Sequence, residues 1–542
     1  MLSLILRLLL PSLLGLLIFH FAYKYLGRLR SLHAIPNAHP TAPFSSLWLL
    51  SIRYRKRENR TVWESHKRLG PIVRLAPEEV SVCTLQGLKT IYGDWEKNAW
   101  YEAFSNYGFV SCDFYHINED QYDQMVIVAY TGLCIVCILS SHFSYLSLSI
   151  SPKAKNTLTS PRTPPLVARI HSAPHAAHKR LFSNIYSKSY IQTSSDISTF
   201  NCRILTQKVL PKIAAAAATG ASIDVLRLNM AFSMDTMSAY EFGSAYGTDF
   251  LDDDAACSRF LAAFAAVKNG FFWAGRLPVL TRNLERIGIS LVSQEAMNGQ
   301  AEIEDMCWKL CSRIQTLIET NSLTPSSTAP VVYAQLSSSL ARSLEKTHPT
   351  SSNGPDFLGR SVASDMLDHL IAGHETSGIA LTYAMYELSL HPEFQTNLRA
   401  ELRSISPPLK FPPPSFGPSA FSTSTSVPPS TLPRALDALT LLNATLYETL
   451  RLYPPGAAGQ PRVVPRGGAK LYGFTLPEGV VAHAAPYSVH RNEEVFERAE
   501  EWLPERWMGE RKREVAEWFW AFGSGSMGCI GKAFAVQGMC FA

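Results

Sequence analysis

Apolar residues recur at helical spacing along most of this chain. The longest amphipathic stretches cover residues 197–217, 224–242, 295–320, 361–390 and 436–452. Strand-like alternation is confined to two short regions, residues 72–83 and 462–490. A period near 3.6 residues indicates a helix with one buried face, and a period of two indicates a half-buried strand. The pattern therefore predicts a mainly α protein with a small β portion, that is, an α+β fold.

The first 23 residues form an apolar run with a single charge, Arg7. About 20 apolar residues in a helix cross the roughly 30 Å hydrocarbon core of a bilayer, so residues 1–23 are predicted to be a transmembrane anchor. Lys24, Arg28 and Arg30 follow directly, and such clusters favour the cytoplasmic side for the downstream chain. A cleavable signal peptide is the alternative, which the absence of a clear small-residue cleavage motif disfavours.

Three further segments depart from the helical pattern. Residues 24–50 contain IPNAHPTAP, whose prolines predict a stiff hinge between the anchor and a body over residues 51–542. Residues 403–434 are rich in proline and serine, which predicts a surface loop. Residues 126–170 join an apolar run to a Ser, Thr and Pro-rich tail. A second membrane span and translated intron sequence are both open interpretations of that segment.

Charge and cysteine usage exclude several classes of protein. The 50 Lys and Arg against 45 Asp and Glu leave a scattered charge of +5, which excludes nucleic acid as the main partner. Ten irregularly spaced cysteines in 542 residues do not form the dense disulfide framework of small secreted domains. Cys134 and Cys137 have no second pair to complete a zinc site. Cys307 and Cys311 are predicted to be two buried thiols on one helix face.

The stretch AFGSGSMGCIG, residues 521–531, permits two interpretations. Gly523, Gly525 and Gly528 spell the G-x-G-x-x-G of a dinucleotide-binding turn. That turn needs an acidic residue about 20 positions later, but only 14 residues follow Gly528 and none is acidic. The other interpretation is a metal-bound thiolate at Cys529, stabilised by backbone N–H groups at the start of a following helix. The sequence favours the thiolate.

Four motifs in consistent order resemble those of the cytochrome P450 family. Three lie upstream: AGHETS at 372–377, ETLR at 448–451 and PERW at 504–507. The fourth is the haem-binding loop F-x-x-G-x-R-x-C-x-G, matched by Phe522, Gly525, Cys529 and Gly531. The resemblance extends over most of the chain from about residue 35. It implies the cytochrome P450 fold and haem b, iron protoporphyrin IX, as cofactor.

The resemblance also implies roles for the loop and for the central helix. Cys529 is expected to be the axial ligand of the haem iron and to push electron density onto it, with Phe522 packed near the sulfur. Glu375 and Thr376 are expected to be catalytic and to deliver protons to bound dioxygen. In the bland alternative, Thr376 bonds back to its own helix and Glu375 is a surface charge.

A buried clamp is the third implied feature. Glu448 and Arg451 are three residues apart, so they share a helix face and can pair. A bare E-x-x-R is otherwise a common surface pair of little energetic value. In the family this pair is buried with the arginine of the segment that Arg506 occupies here, and it has a structural role.

Further basic residues match positions that hold the haem propionates. Arg462, His175 and Lys179 are expected to be cofactor-binding, the last two with His for the family's Trp and Lys for its Arg. Met527 stands where the family usually has Arg or His, so one propionate partner is missing. The chain ends 13 residues after Cys529, and the resemblance therefore implies a fold truncated at the C-terminus and carrying an insertion at residues 126–170.

The expected function is that of a membrane-anchored haem-thiolate monooxygenase. Such an enzyme inserts one atom of O2 into a small organic substrate, here a secondary metabolite, with electrons from NADPH-cytochrome P450 reductase. The expected location is the endoplasmic reticulum membrane, with a single-pass N-terminal anchor and a cytoplasmic catalytic domain. Two alternatives are a haem-thiolate isomerase or dehydratase, and a non-catalytic, haem-deficient membrane protein from a truncated or mis-spliced gene.

Overall fold

A computed structural model describes residue 27 and residues 29–104, 172–324, 328–347, 355–406 and 431–542. The predicted anchor, the predicted insert and most of the predicted proline-serine loop lie outside these residues. Within the described ranges, no helix combines the length and the apolar character needed to cross a membrane.

The described chain is mainly helical, as the apolar periodicity predicts. The helices in chain order are α1 (Leu47–Tyr54), α2 (Glu58–Leu69), α3 (Leu85–Asp94), α4 (Ser172–Lys179), α5 (Lys188–Thr193), α6 (Ser195–Ile204), α7 (Leu210–Thr219), α8 (Val225–Phe242), α9 (Asp254–Arg276), α10 (Pro278–Arg286), α11 (Gln294–Glu319), α12 (Val331–Thr347), α13 (Pro355–Leu390), α14 (Pro392–Arg403), α15 (Leu432–Asp437), α16 (Thr440–Leu452), α17 (Pro486–Val489), α18 (Lys512–Glu517) and α19 (Lys532–Phe541). Single 3₁₀ turns cover Leu29–Ala34, Ala99–Phe104, Pro504–Trp507 and Gly525–Met527.

The strands are short and few, again as predicted. They are β1 (Ile72–Ala76), β2 (Glu79–Val82), β3 (Arg462–Val463), β4 (Ala469–Leu471), β5 (Phe474–Leu476) and β6 (Val481–His483). The α+β fold class is confirmed. Two helical stretches differ in detail. Residues 436–452 are predicted as one helix but comprise the end of α15 and, after a break, α16. Residues 197–217 are predicted as one helix but form α6 and α7, joined by a π-helical turn at Leu205–Val209. Such turns add one residue per turn to an α-helix without breaking it, so apolar spacing alone does not reveal them.

The chain divides into two compact units. The first contains the described residues up to Asn98 together with Gly456–Glu501 and Arg513–Ser526. The second contains Ala99–Pro455, Trp502–Lys512 and Met527–Ala542. The sheet belongs to the first unit, and most of the helices belong to the second.

A four-stranded mixed sheet of order β1-β2-β6-β3 organises the first unit. Strands β1 and β2 are antiparallel, β2 and β6 are parallel, and β6 and β3 are antiparallel. Strands β4 and β5 form a separate hairpin whose two turn residues, Tyr472 and Gly473, have φ of 53° and 78°. Two positive φ values give the turn a twist that matches the strands. Leu32 and Ile35, from the segment predicted to be a hinge, are buried in this unit's apolar core.

An ion-pair cluster joins α1, α2 and the sheet of the first unit. The Arg53 guanidinium donates to Glu58 Oε1 at 2.9 Å and to both carboxylate oxygens of Glu79, while His483 Nε2 lies 3.1 Å from Glu79 Oε1. Burial acts to raise the pKa of Glu79. The charges and hydrogen bonds of Arg53 and His483 outweigh it and hold that pKa well below its ordinary value. Glu79 is therefore ionised in the folded chain.

Replacing Glu79 with Gln is expected to lower the free energy of unfolding by about 3 kcal/mol, because it leaves Arg53 with one carboxylate in a mostly buried site. The stability from Glu79 is present above its unfolded pKa, near 4.5, and is lost as the pH falls below that value. Urea unfolding followed by circular dichroism from pH 7 to pH 3.5 measures both effects. Glu64→Gln is the matched control: Glu64 pairs with Arg60 on the exposed face of α2, and its loss should cost at most about 0.5 kcal/mol.

The long helix α13 lies at the centre of the second unit. It packs along α8 and also contacts α11, α12 and α16. Helix α11 in turn packs along α9, and their backbones approach closely at Gly299. A Cβ atom at Gly299 would lie 2.6 Å from the carbonyl oxygen of Ala263 on α9, so only glycine fits there.

Candidate functional site

Cys529 lies three residues before α19, in the loop that resembles the haem-binding motif. Two of the loop's glycines differ in backbone conformation. Gly525 has a φ of 69°, a conformation that residues with side chains rarely adopt. Gly531 has an ordinary φ of −78°, and a Cβ atom there would lie 4.0 Å from Cys529 Sγ, an ordinary contact distance. The backbone conformation therefore requires glycine at position 525, and neither the conformation nor the available space requires it at position 531.

Opposing influences act on the Cys529 thiol. The side chain is exposed to solvent on one side, while protein surrounds it on the others. Burial on those sides raises the pKa of the thiol. The backbone N–H groups of Gly531 and Lys532 and the charges of Lys179 and Lys532 act to lower it. Burial is the largest of these influences, so the pKa of the metal-free thiol is raised overall, although two N–H donors and two cations surround it. This is the set of partners that a metal-bound thiolate needs.

Helix α4 brings Lys179 to the residue before the cysteine. Lys179 Nζ donates to the carbonyl oxygen of Gly528 at 2.6 Å. Burial lowers the pKa of Lys179, and the nearby Cys529 acts to raise it. His175, one turn earlier on α4, is buried. The two residues predicted to meet propionates thus lie on one helix that reaches the Cys529 loop.

Aromatic packing fixes the chain on the other side of Cys529. Phe534 on α19 stacks on Tyr240 of α8 with ring centroids 4.8 Å apart and an interplanar angle of 18°. The Tyr240 hydroxyl donates to the carbonyl oxygen of Ile185 at 2.6 Å. Stacked, buried aromatic pairs contribute beyond their area. The start of α19 is therefore held against α8.

The AGHETS segment lies on α13, which is a regular helix there. The Thr376 hydroxyl donates to the carbonyl oxygen of Ala372 at 2.6 Å, within its own helix. Glu375 forms an ion pair with Lys268 of α9. The Thr376 bond is therefore the one that the alternative interpretation predicts, a bond back to its own helix. Glu375 is not a simple surface charge, because it is half-buried and pairs with a residue of another helix.

The residue between the motif's glycine and glutamate also contacts α9. His374 is fully buried, with Phe260 and Phe264 in edge contact at centroid distances of 5.1 and 5.2 Å. Burial lowers the pKa of His374 to about 4, so the ring is neutral near pH 7. His374 and Glu375 both face α9, and only Glu375 carries charge there.

The structure brings Glu448, Arg451 and Arg506 together. Arg451 donates two hydrogen bonds of 2.8 Å to the Glu448 carboxylate, and Arg506 Nε donates a third at 3.0 Å. The Leu503 N–H and Trp507 Nε1 complete the set at 2.9 Å each. Burial acts to raise the pKa of Glu448, but these donors and charges lower it overall. The carboxylate is fully buried and ionised.

Three predicted site residues, Phe522, Gly525 and Arg462, belong to the first unit. Phe522 makes an edge contact with Phe519 at 6.2 Å. Arg462, on β3, is buried, and its guanidinium lies 5.0 Å from the ring centroid of Tyr92. Arg462 Nη1 also donates to the carbonyl oxygen of Pro461 at 3.1 Å.

Three residues of the second unit's site are absent from the sequence interpretation. They are Lys268, which pairs with Glu375, Trp507, which donates to Glu448, and His178, which pairs with Asp365. No local sequence signal could identify the first or the last, because each partner is more than 100 residues away. Trp507 lies within PERW, next to the predicted Arg506.

One group of possible metal ligands occurs elsewhere in the described ranges. Glu58, Glu79 and His483 offer ligand atoms within 4.8 Å of one another. The Arg53 guanidinium already binds both carboxylates, so a cation of the chain itself occupies the position between them.

Comparison with known proteins agrees with the site. The family model Cytochrome P450 matches residues 202–542. The chain is 25% identical over 390 residues to cytochrome P450 monooxygenase avaI of Aspergillus versicolor, covering 69% of this chain and 81% of the relative. It is 24% identical over 485 residues to cytochrome P450 monooxygenase mfmA of Annulohypoxylon moriforme, covering 88% and 79%. It is also 34% identical over 186 residues to cytochrome P450 monooxygenase efuB of Hormonema carpetanum, where the match spans 33% of each chain.

The chain belongs to the cytochrome P450 family, because the family model matches more than half of it. The resemblance drawn from the four motifs is thereby confirmed. The family is one of haem-thiolate enzymes, and the class of this protein is that of oxidoreductases that incorporate oxygen from O2.

Proposed function

We propose that this protein is a haem b monooxygenase that inserts one oxygen atom into a small organic molecule of secondary metabolism. The observation that carries the proposal is the surroundings of Cys529: a solvent-exposed thiol, the N–H groups of Gly531 and Lys532 at the start of α19, and the ammonium groups of Lys532 and of Lys179 on α4. A neutral structural cysteine is typically buried in apolar surroundings and needs none of these.

The residues present fit a haem with a thiolate ligand. Within the second unit, Cys529 would hold the iron and the buried His175 would meet a propionate. Lys179 would share its ammonium group between a propionate and the carbonyl of Gly528. Haem, when bound, supplies the iron centre at which O2 is activated. Arg462, Gly525 and Phe522 belong to the first unit, and their cofactor-binding roles stay predictions from the resemblance.

Glu375 and Thr376 are the proposed proton carriers. Thr376 can pass a proton through its Oγ1 only after this hydroxyl leaves the carbonyl oxygen of Ala372. Glu375 can hold a proton on its carboxylate only after the carboxylate parts from the Lys268 ammonium. The Glu448, Arg451 and Arg506 group has no free proton to give, so its proposed role is structural.

The proposed partners and location rest on the sequence and on the family resemblance. The anchor predicted at residues 1–23 would tether the protein to the endoplasmic reticulum membrane, with residues 51–542 in the cytoplasm. Electrons would come from NADPH-cytochrome P450 reductase. The three fungal relatives named above are monooxygenases, which supports an oxygen-inserting reaction over isomerisation or dehydration.

The test is to express the full chain in a eukaryotic host and record the difference spectrum of the reduced, carbon monoxide-treated protein. A haem-thiolate enzyme gives the band that is specific to a thiolate ligand, and a haem-deficient protein gives no band. Microsomes that also contain the reductase are then incubated with NADPH, an extract of candidate metabolites and ¹⁸O2. A product that carries one ¹⁸O atom supports the proposal. An isomeric or dehydrated product formed without O2 contradicts it.

Replacing Thr376 with Val is expected to shift electron use from product or water toward hydrogen peroxide, because the hydroxyl that passes a proton is lost. Positioned proton transfer contributes about a hundredfold or more to rate, so peroxide per NADPH should rise severalfold. Thr382→Val is the matched control: its hydroxyl makes the same kind of bond, to Gly378 O at 2.7 Å, on the same helix. An equal rise of peroxide in both variants would contradict a proton role for Thr376.

A further inference from the structure

A buried histidine–aspartate pair holds helix α4 against α13. His178 Nε2 lies 2.7 Å from Asp365 Oδ2, and the side chains are 7% and 2% exposed. The Phe182 ring packs edge-on against His178 at 5.7 Å and is fully buried. A hydrogen bond in such surroundings is electrostatically stronger than one in water. The end of α4 is therefore fixed to the central helix at this point.

The His178–Asp365 pair matters because α4 has only eight residues. An isolated helix of that length is not stable in water, so its position depends on tertiary contacts. His178 and Lys179 are both in the last turn, where positive side chains favour the helix dipole. The backbone that carries Lys179 is thus set by the neighbouring His178.

Lys179 connects helix α4 to the loop that contains Cys529. Its ammonium group donates to the carbonyl oxygen of Gly528, the residue before Cys529, at 2.6 Å. A lysine side chain has four rotatable bonds, so this contact is reproducible only if the helix beneath it is fixed. Two adjacent residues of one short helix therefore connect α13 on one side with the Cys529 loop on the other.

We infer that His178 is a positioning residue for the Cys529 loop. Asp365 holds His178, His178 fixes the end of α4, and Lys179 then holds the loop through Gly528. The α13 residue Asp365 lies on the helix that carries Glu375 and Thr376, so one helix positions both the proposed proton carriers and the proposed iron ligand. The effect on iron ligation rests on the proposed function of Cys529. The contacts that position the loop do not involve haem and do not depend on that function.

The competing explanation is that the His178–Asp365 pair stabilises the fold without any specific effect on the loop. The two explanations differ in where the structure loosens when the pair is removed. A positioning role requires local opening of the loop, measured by hydrogen exchange of the Gly531 and Lys532 amides. A merely stabilising role lowers the global free energy of unfolding and leaves exchange at the loop no faster than in a control of equal stability.

The experiment measures hydrogen–deuterium exchange by mass spectrometry on the full chain without haem. The variants are His178→Leu with Asp365→Leu, which leaves no buried charge, and Lys179→Met. We expect both to speed exchange of the two amides by about tenfold, because the bond to Gly528 comes from a charged group. Combining all three substitutions should add nothing further, since they interrupt one connection.

Tyr186→Phe is the matched control. The Tyr186 hydroxyl bonds His369 Nδ1 at 3.2 Å in the same buried cluster, and its loss also costs stability but does not touch Lys179. We expect wild-type exchange at the loop in this variant. Loop exchange in the His178→Leu, Asp365→Leu chain that equals the control would overturn the inference. If that chain does not fold, His178→Ala and His178→Gln decide: faster exchange in Ala alone supports positioning, and equal exchange in both overturns it.

The outcome is independent of the proposed function. Exchange is measured without haem, so a chain that is no monooxygenase still gives an answer about the loop. In turn, a normal thiolate band in the haem-loaded wild type supports the proposed function even if hydrogen exchange shows no positioning role for His178. The Lys179→Met chain, loaded with haem, adds a second readout: we expect a smaller share of the thiolate band than in Tyr186→Phe.

Discussion

Replacing Cys529 with Ser is expected to abolish the thiolate band of the reduced, carbon monoxide-bound protein and to reduce oxygen insertion to the level of the reductase alone. A serine hydroxyl has a far higher pKa than a thiol and does not replace a thiolate as electron donor to iron. The backbone N–H groups of Gly531 and Lys532 and the two lysines cannot compensate, because they stabilise negative charge and supply none. The measurement is the difference spectrum together with ¹⁸O incorporation.

Cys540→Ala is the control for this substitution. Cys540 lies on α19, eleven positions after Cys529, and is buried. Burial raises the pKa of its thiol to about 12, so it is neutral and inert. We expect this variant to lose about 1 kcal/mol of stability and to retain the thiolate band. A band that survives in Cys529→Ser would remove the basis of the proposed function.

Replacing Glu448 with Ala is expected to cause the largest loss of stability of any single change in the second unit. It leaves the buried Arg451 and the nearly buried Arg506 without their shared carboxylate, and it removes the acceptor of Trp507 Nε1. Breaking a buried pair costs about 3–5 kcal/mol, which is a large part of the stability of most domains. Urea unfolding followed by far-UV circular dichroism, which reports the loss of helix, measures this change in stability.

Glu505→Gln tests whether the loss is specific to the buried carboxylate. Glu505 lies beside Arg506 in the same 3₁₀ turn but is exposed, so its replacement should change stability by no more than about 0.5 kcal/mol. The stability from Glu448 is present above the unfolded pKa of a glutamate and is lost as the pH falls below it, because its folded pKa is lowered. Equal effects of the two substitutions would mean that the Glu448 cluster contributes no special stability.

The sequence predicts the elements of this fold better than their contacts. Apolar spacing gives α8 and α11 to within a residue. Helix α11 buries a single face, which produces the helical period, whereas α8 is buried on all sides over most of its length. The i, i+3 spacing of Glu448 and Arg451 likewise makes their pairing predictable. Contacts between distant positions have no such signature. Lys268 and Glu375 are 107 residues apart, and only the packing of α9 beside α13 brings them together.

The site shows the same division between local and distant features. The position of Cys529 before a helix follows from the glycines and the apolar run after it. Its surroundings do not, since Lys179 reaches Gly528 across 349 positions of sequence. The helix that carries Lys179 is fixed by a histidine–aspartate pair, whose two members look like ordinary polar residues in the sequence. The residues proposed to carry out the reaction could be predicted from motifs. The residues that position them could be identified only from the folded structure.

The glycine at position 299 sets the spacing of two helices. With no side chain between them, the backbones of α9 and α11 come close at this point, so any larger residue would push the two helices apart. Helix α9 also carries Lys268, the ion-pair partner of Glu375. A substitution at Gly299 is therefore expected to disturb that ion pair as well as the packing of the two helices.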